Sequence, residues 1–195
     1  AAWTYDHDLD GHRISEVTPN GVTLTHTIAA LGRRTATSYS PVAPGEVTAT
    51  GYSYDGNGNL LAASDRIDAA TFLTLTRRYD RRDRIEQETD PFGRTLQYSY
   101  DALGNRKTRF DAQTGQTTTY EWDARQRNIA VSEPGSGTTA LSYYRDDRLQ
   151  GIERPGQVDT SYTYDRAGRV ESITHRQEAL ELALKPLAAE RERTA

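Results

Sequence analysis

Asp6-His7-Asp8-Leu9-Asp10-Gly11 is the stretch of this chain most like a chemical site, because alternating aspartates followed by Gly match the opening half of an EF-hand calcium loop. The complete loop needs a bidentate acid at its twelfth position. Counted from Asp6 that position is Val17, with Glu16 one place early. Asp55-Gly56-Asn57-Gly58-Asn59-Leu60 fails in the same way. Both read better as turns, so neither a metal nor a cofactor is expected.

Catalytic groups are equally unassembled in the sequence. His7, His12, His26 and His175 occur with no cysteine and no Gly-x-Ser-x-Gly elbow, so a hydrolase triad has no anchor. Carboxylate pairs such as Asp146-Asp147, or Asp80 with Asp83, recur often enough to be solvated turns and rims. No Gly-rich phosphate loop opens a helix. The expectation is a protein that is not an enzyme. Aromatic pairs are the remaining candidates, since Tyr98 and Tyr100 share one face of a strand and could stack on a sugar. A cross-strand ladder of rings explains every copy of the pair at once, and glycan binding is the alternative.

The elements that carry these residues are repeats. Aligned on the acid after the aromatic pair, Trp3-Thr4-Tyr5-Asp6, Tyr52-Ser53-Tyr54-Asp55, Arg78-Tyr79-Asp80, Tyr98-Ser99-Tyr100-Asp101, Tyr120-Glu121-Trp122-Asp123 and Tyr162-Thr163-Tyr164-Asp165 form one series. Two decayed copies put Ala29 and Arg145 in place of the acid. Anchors at 6, 29, 55, 80, 101, 123, 145 and 165 are then separated by 23, 26, 25, 21, 22, 22 and 20 residues. So narrow a spread predicts an array. Gly104 and Gly168 follow the acid by three places, where a turn can require positive φ. An apolar residue restarts the chain after each turn, as at Ile14, Leu60, Ile85, Ile129, Leu149 and Val170. Pro and Gly then close the strand, as in Asp90-Pro91-Phe92-Gly93 and Arg154-Pro155-Gly156. Each repeat therefore reads as two strands with a turn at each end.

Composition fits a sheet better than a solid globule. Leu, Ile, Val and Phe make up only 32 of the 195 residues, while 12 Tyr and 2 Trp recur at regular intervals. Basic and acidic residues number 24 and 28, and acids interrupt nearly every basic cluster, which argues against nucleic acid. All the bases but Lys107 and Lys185 are Arg, a side chain suited to stacking on rings and forking onto carboxylates. No apolar run is long enough to span a membrane. After about residue 176 the pattern changes to Ala, Leu, Glu and Arg, with Leu180, Leu184 and Leu187 at helical spacing. Residues 1–176 are thus expected to form the array of about eight repeats, and 177–195 a helical or disordered tail.

Tyr100-Asp101-Ala102-Leu103-Gly104-Asn105-Arg106 and Tyr164-Asp165-Arg166-Ala167-Gly168-Arg169-Val170 closely resemble the YD repeats of RHS proteins, which also occur in Tc-type toxin complexes and teneurins. The resemblance covers roughly residues 3 to 174. It implies an all-β strip of antiparallel hairpins, an arc of a β-shell, with Tyr5, Asp6, Tyr54, Asp55, Tyr79, Asp80, Tyr98, Tyr100, Asp101, Gly104, Trp122, Asp123, Tyr162, Tyr164, Asp165 and Gly168 in structural turn and ladder roles. It also implies a secreted or cell-envelope location. The partners it implies are a cargo toxin or other polypeptide, further RHS repeats, or a second copy joined through open sheet edges. Asp90-Pro91-Phe92-Gly93-Arg94 matches only the turn of the segment that ends bacterial RHS cores, so the family's autoproteolytic aspartates have no counterpart here.

Overall fold

A computed structural model describes residues 2–156 and 158–177. Their regular structure is entirely β, sixteen antiparallel strands in one open sheet whose order is the order of the chain. The strands are β1 (Thr4–His7), β2 (Arg13–Val17), β3 (Thr23–Ile28), β4 (Arg34–Ser40), β5 (Ala49–Tyr54), β6 (Leu60–Arg66), β7 (Phe72–Tyr79) and β8 (Ile85–Thr89). They continue as β9 (Thr95–Tyr100), β10 (Arg106–Asp111), β11 (Gln116–Trp122), β12 (Asn128–Glu133), β13 (Gly137–Tyr143), β14 (Leu149–Glu153), β15 (Val158–Tyr164) and β16 (Val170–Gln177). The helix expected in the tail lies outside the described residues. The chain divides into two compact units, residues 1–117 and 118–195. Within each, the strands described pack only against their neighbours in sequence.

Period-2 alternation accounts for the strands. In β9, Leu96, Tyr98 and Tyr100 are half-buried while Gln97 and Ser99 between them are exposed, and in β15 Thr160, Tyr162 and Tyr164 alternate with exposed Ser161 and Thr163. On the exposed face, facing hydroxyls pair across strands, Ser99 with Thr108 at 2.5 Å and Thr163 with Ser172 at 2.8 Å. The face carrying the rings holds what little is fully covered. Among the described residues no hydrophobic side chain is buried, and those that are buried are His26, Thr37, Thr50, Asp111, Thr118 and Thr160. Thr50, Thr118 and Thr160 each stand two residues before the first ring of an aromatic pair.

One turn closes the hairpin at each of the eight repeat anchors, and its hydrogen-bond pattern returns at Thr18–Val22 and Asp90–Arg94, with Gly21 and Gly93 at positive φ. In the hairpin of β9 and β10, the Asp101 N–H donates to the Asn105 carbonyl at 2.9 Å and the Gly104 N–H returns to the Asp101 carbonyl at 3.2 Å. The strand entering it carries a bulge immediately before the turn, for example between Ser53 and Tyr54 or Thr163 and Tyr164. The fourth turn residue has positive φ at every anchor: Gly11, Gly32, Gly58, Gly104 and Gly168 in five, and Asp83, Gln126 and Asp147 in three. A side chain there costs free energy because Cβ crowds the backbone, so Asp83 and Asp147 need a return. Asp83 Oδ1 accepts from the amides of Asn57 and Asn59, and Asp147 Oδ1 from the guanidinium groups of Arg125 and Arg127, tying each turn to the one before it. Gln126 makes no such side-chain bond among the described residues. Gln126→Gly should therefore raise stability by about 1 kcal/mol, whereas Asp83→Gly should give no gain, as read from urea unfolding midpoints.

Candidate functional site

The turn acids are held by the chain that follows them. Asp55 Oδ1 accepts the N–H groups of Asn57 and Asn59 at 3.0 and 2.8 Å, and Oδ2 accepts from the Asn59 side chain at 2.9 Å. Asp101 does the same with Asn105, while Asp80, Asp123 and Asp165 receive the side chains of Arg84, Arg127 and Arg169. The Arg84 hydrogen bond, reinforced by turn amides, lowers the Asp80 carboxyl to about 2. Asp55 and Asp101 are lowered chiefly by the Asn59 and Asn105 side chains, and Asp123 by Arg127.

Two anchors move. The first turn is built on Asp8 rather than Asp6, since the Asp8 N–H donates to the His12 carbonyl and the Gly11 N–H to the Asp8 carbonyl. The reason is steric: the positive-φ residue must lie three places after the acid, and Gly11 is three after Asp8 but five after Asp6. Asp6 instead lies within β1 and accepts the Ser15 hydroxyl at 2.8 Å. In the seventh turn the acid's place is taken by Tyr144, three before Asp147, and not by Arg145. Asp146 supplies the missing carboxylate and receives Arg148 Nε at 2.9 Å. Anchors at 8, 29, 55, 80, 101, 123, 144 and 165 give spacings of 21, 26, 25, 21, 22, 21 and 21 residues.

Before five of the eight anchors a tyrosine fastens its hairpin to the preceding one. Tyr54 donates its hydroxyl to the Arg34 carbonyl at 2.8 Å, Tyr79 to Leu60 at 3.0 Å, Tyr100 to Ile85 at 2.8 Å, Tyr143 to Asn128 at 2.8 Å and Tyr164 to Leu149 at 2.9 Å. Every acceptor lies five residues after the preceding anchor, so one geometry repeats. A guanidinium from the preceding turn covers the ring: Arg33 over Tyr54, Arg84 over Tyr100, Arg127 over Tyr143 and Arg148 over Tyr164, at 4.3 to 5.2 Å. The same arginines reach the next turn's backbone, Arg84 Nη1 donating to the Asp101 carbonyl at 3.4 Å and Arg127 Nη1 to Tyr144 at 3.2 Å. Gly104 and Gly168 lie beside these arginines, with a hypothetical Cβ only 3.9 and 3.7 Å from Arg84 and Arg148. Trp122 occupies the same place before Asp123 without a phenol to donate.

The aromatic ladder expected from the sequence is therefore a ladder of tyrosines alternating with arginines. Ring-on-ring contacts among the described residues are Trp3 with Tyr5 and Tyr144 with Tyr164. Tyr5 lies under Arg13, Tyr98 under Arg106, and the Tyr162 carbonyl accepts the Tyr144 hydroxyl at 3.0 Å. Sequence reading found the tyrosines and missed their partners, although an Arg stands four places after Asp80, Asp123 and Asp165.

Two clusters have the composition of chemical sites. Asp8, Asp10 and His12 bring ligand atoms within 4.8 Å of one another, but both Asp8 oxygens already serve the turn through the amides of Asp10 and His12 and the His12 ring. In the other, a polar row crosses β3 to β6: His26 Nδ1 lies 3.0 Å from Thr37 Oγ1, and the Thr50 hydroxyl donates to Asp65 Oδ1 at 2.7 Å. Burial lowers the His26 pKa, with Arg34 adding to the effect and Glu16, 3.8 Å from Nε2, opposing it. Thr37 is only 2% exposed, so its hydroxyl packs the sheet and is closed to a substrate.

Comparison with known proteins agrees with this repeat geometry. Residues 79–112 match the family model described as RHS Repeat. The solved structure titled TcdB2-TccC3 superposes with a TM-score of 0.64 at 19% identity, over 91% of this chain and 12% of that one. The TcdB2-TccC3-TEV crystal structure gives 0.63 at 19% identity over 91% of this chain and 11% of that one. A Tc holotoxin pore structure from Photorhabdus luminescens gives 0.60 at 19% identity, again over 91% and 11%. No curated protein matches. The family match covers 34 of the 195 residues, and the superpositions, all at 19% identity, show that the chain shares the fold of these Tc-complex structures. The chain spans about a tenth of the length of these structural relatives.

Two measurements check the site. Tyr100→Phe leaves the ring under Arg84 but removes the donor to Ile85, and should cost about 1 kcal/mol in urea unfolding. The second concerns acid. Because the folded Asp80 carboxyl titrates near 2 and its ordinary value is 3.8, the unfolded chain binds more protons between them. The stability it contributes is complete above the ordinary value and is lost as pH falls toward 2. Asp55, Asp101 and Asp123 act in the same direction. The urea midpoint should fall steeply below about pH 4, and Asp80→Asn should make that fall shallower.

Proposed function

We propose that this chain is a section of wall in a secreted or cell-envelope RHS scaffold that encloses a toxin or other partner polypeptide and catalyses no reaction of its own. The observation that carries the reading is the missing apolar core. Among the described residues no hydrophobic side chain is buried, and each strand touches only its neighbours in sequence. Such a sheet is held together edge to edge by turns, tyrosines and arginines, which leaves its faces free to border a second chain. Likeness in fold to TcdB2-TccC3 and to a Tc holotoxin pore supports placing it in a toxin-complex setting. The action is steric: a polypeptide behind the wall is kept from solvent and proteases. No helix among the described residues is long and apolar enough to cross a membrane.

Glycan binding through the recurrent aromatic pairs is the weaker reading. Tyr100 already has its hydroxyl on Ile85 and Arg84 over its ring, and Tyr98 has Arg106 over its own. Affinity isolation from the native source tests the scaffold. It should recover a second polypeptide, or a further segment of the same one, that resists trypsin while the array is folded. A triple variant, Tyr54→Ala, Tyr100→Ala and Tyr143→Ala, should make that partner digestible. Isolation of the array with no such polypeptide, or with one digested equally fast in both forms, contradicts the proposal.

A further inference from the structure

Between β14, β15 and β16, within the second compact unit, a depression of about 520 Å³ is lined by Arg154, Val158, Thr160, Tyr162 and His175. The size suits a monosaccharide or a single amino-acid side chain. Its floor is Thr160, which is 7% exposed and directly opposite His175 across the β15–β16 pair. The Thr160 hydroxyl joins the two charged-type groups of the rim: Arg154 Nη1 lies 3.4 Å from Oγ1 and His175 Nδ1 lies 3.1 Å from it. Arg154 is fixed further by its Nη1 on the Val158 carbonyl at 3.3 Å and by its own N–H on Asp159 Oδ1 at 3.1 Å.

The hydrogen-bond inventory determines what this hollow presents. When Thr160 Oγ1 accepts from Arg154, its own O–H is free to donate to His175 Nδ1, which leaves the Nε2–H of that ring as a donor. Among the described residues Arg154 forms no ion pair, and its Nε and Nη2 are not used in the bonds above. The Tyr162 hydroxyl adds a further donor, and among the described residues no carboxylate lines the hollow. Several arginines of the array are answered by a carboxylate, as Arg84 is by Asp80 and Arg127 by Asp123, both at 2.6 Å. We propose that the Arg154–Thr160–His175 hollow binds a carboxylate, held by the Arg154 fork with His175 and Tyr162 donating beside it and Val158 as an apolar wall. The site is independent of the scaffold reading, since it lies on one hairpin and its neighbouring strand.

Nuclear magnetic resonance titration of the whole chain tests this with three probes: D-glucuronate, its neutral analogue D-glucose, and N-acetylglutamate. Glucuronate should give saturable shifts of the Arg154 and His175 side-chain resonances, and glucose none. Arg154→Gln and His175→Ala should each weaken glucuronate by about tenfold, equivalent to one strong charged contact, while Arg166→Gln on the turn leaves it unchanged. His175 is exposed, so its variant keeps the test valid if Arg154→Gln disturbs the fold. Equal binding of N-acetylglutamate would support the carboxylate site and assign its source to a polypeptide; weaker binding would support it and assign the source to an acidic sugar. The absence of saturable shifts with either acid, equal shifts with glucose, or unchanged affinity in both variants would overturn the proposal.

Discussion

A single tyrosine hydroxyl, repeated along the chain, sets the structure. At five of the eight anchors the tyrosine before the turn reaches back to a carbonyl of the previous hairpin, always at the same offset, and in four of these an arginine from that hairpin covers the ring. This couples the position of one turn to the next strand pair, so neighbouring hairpins hold one register. The turn glycine answers a separate demand, the positive φ of the fourth turn residue, which Gly104 and Gly168 adopt without strain.

A sheet built this way needs little oil. Its covered residues are threonines, one aspartate and one histidine, each with a hydrogen-bonding side chain, and its rings lie half-buried under guanidinium groups. Burying polar groups is tolerable because most of them pair across strands, as Thr37 does with His26 Nδ1 and Thr50 with Asp65, although His26 Nε2 has no hydrogen-bond partner and only Glu16 at 3.8 Å. Arginine is the base that fits, since it can fork onto a turn acid, stack on a ring and donate to a carbonyl at once, and Arg127 does all three. Lysine has neither the plane nor the donors.

Much of this was legible in the sequence. The spacing of aromatic pairs and turn acids gave the hairpins, their order and the RHS/YD resemblance, because the turn demands fixed residue types at fixed distances. Phase was misread where that demand could be met by two residues: Asp6 and Asp8 are both acids near Gly11, and only the three-residue offset to a positive φ selects Asp8. Tyr144 was hidden for a related reason, since Asp147 adopts the glycine conformation that its residue type disguises. The arginines themselves recur in the sequence, but their pairing with tyrosines runs between repeats, across sixteen residues from Arg84 to Tyr100 and twenty-one from Arg33 to Tyr54, where no local pattern links them. The Thr160 hollow likewise depends on which residues face each other across β14 to β16, and no local pattern encodes that.

Native-state hydrogen exchange on Tyr100→Ala tests the central claim most directly. If the tyrosine joins hairpins, protection should fall in β8, around Ile85 whose carbonyl Tyr100 holds, as well as in β9 where the substitution lies. Loss of protection confined to β9 and β10, with β7 and β8 unchanged, would contradict it.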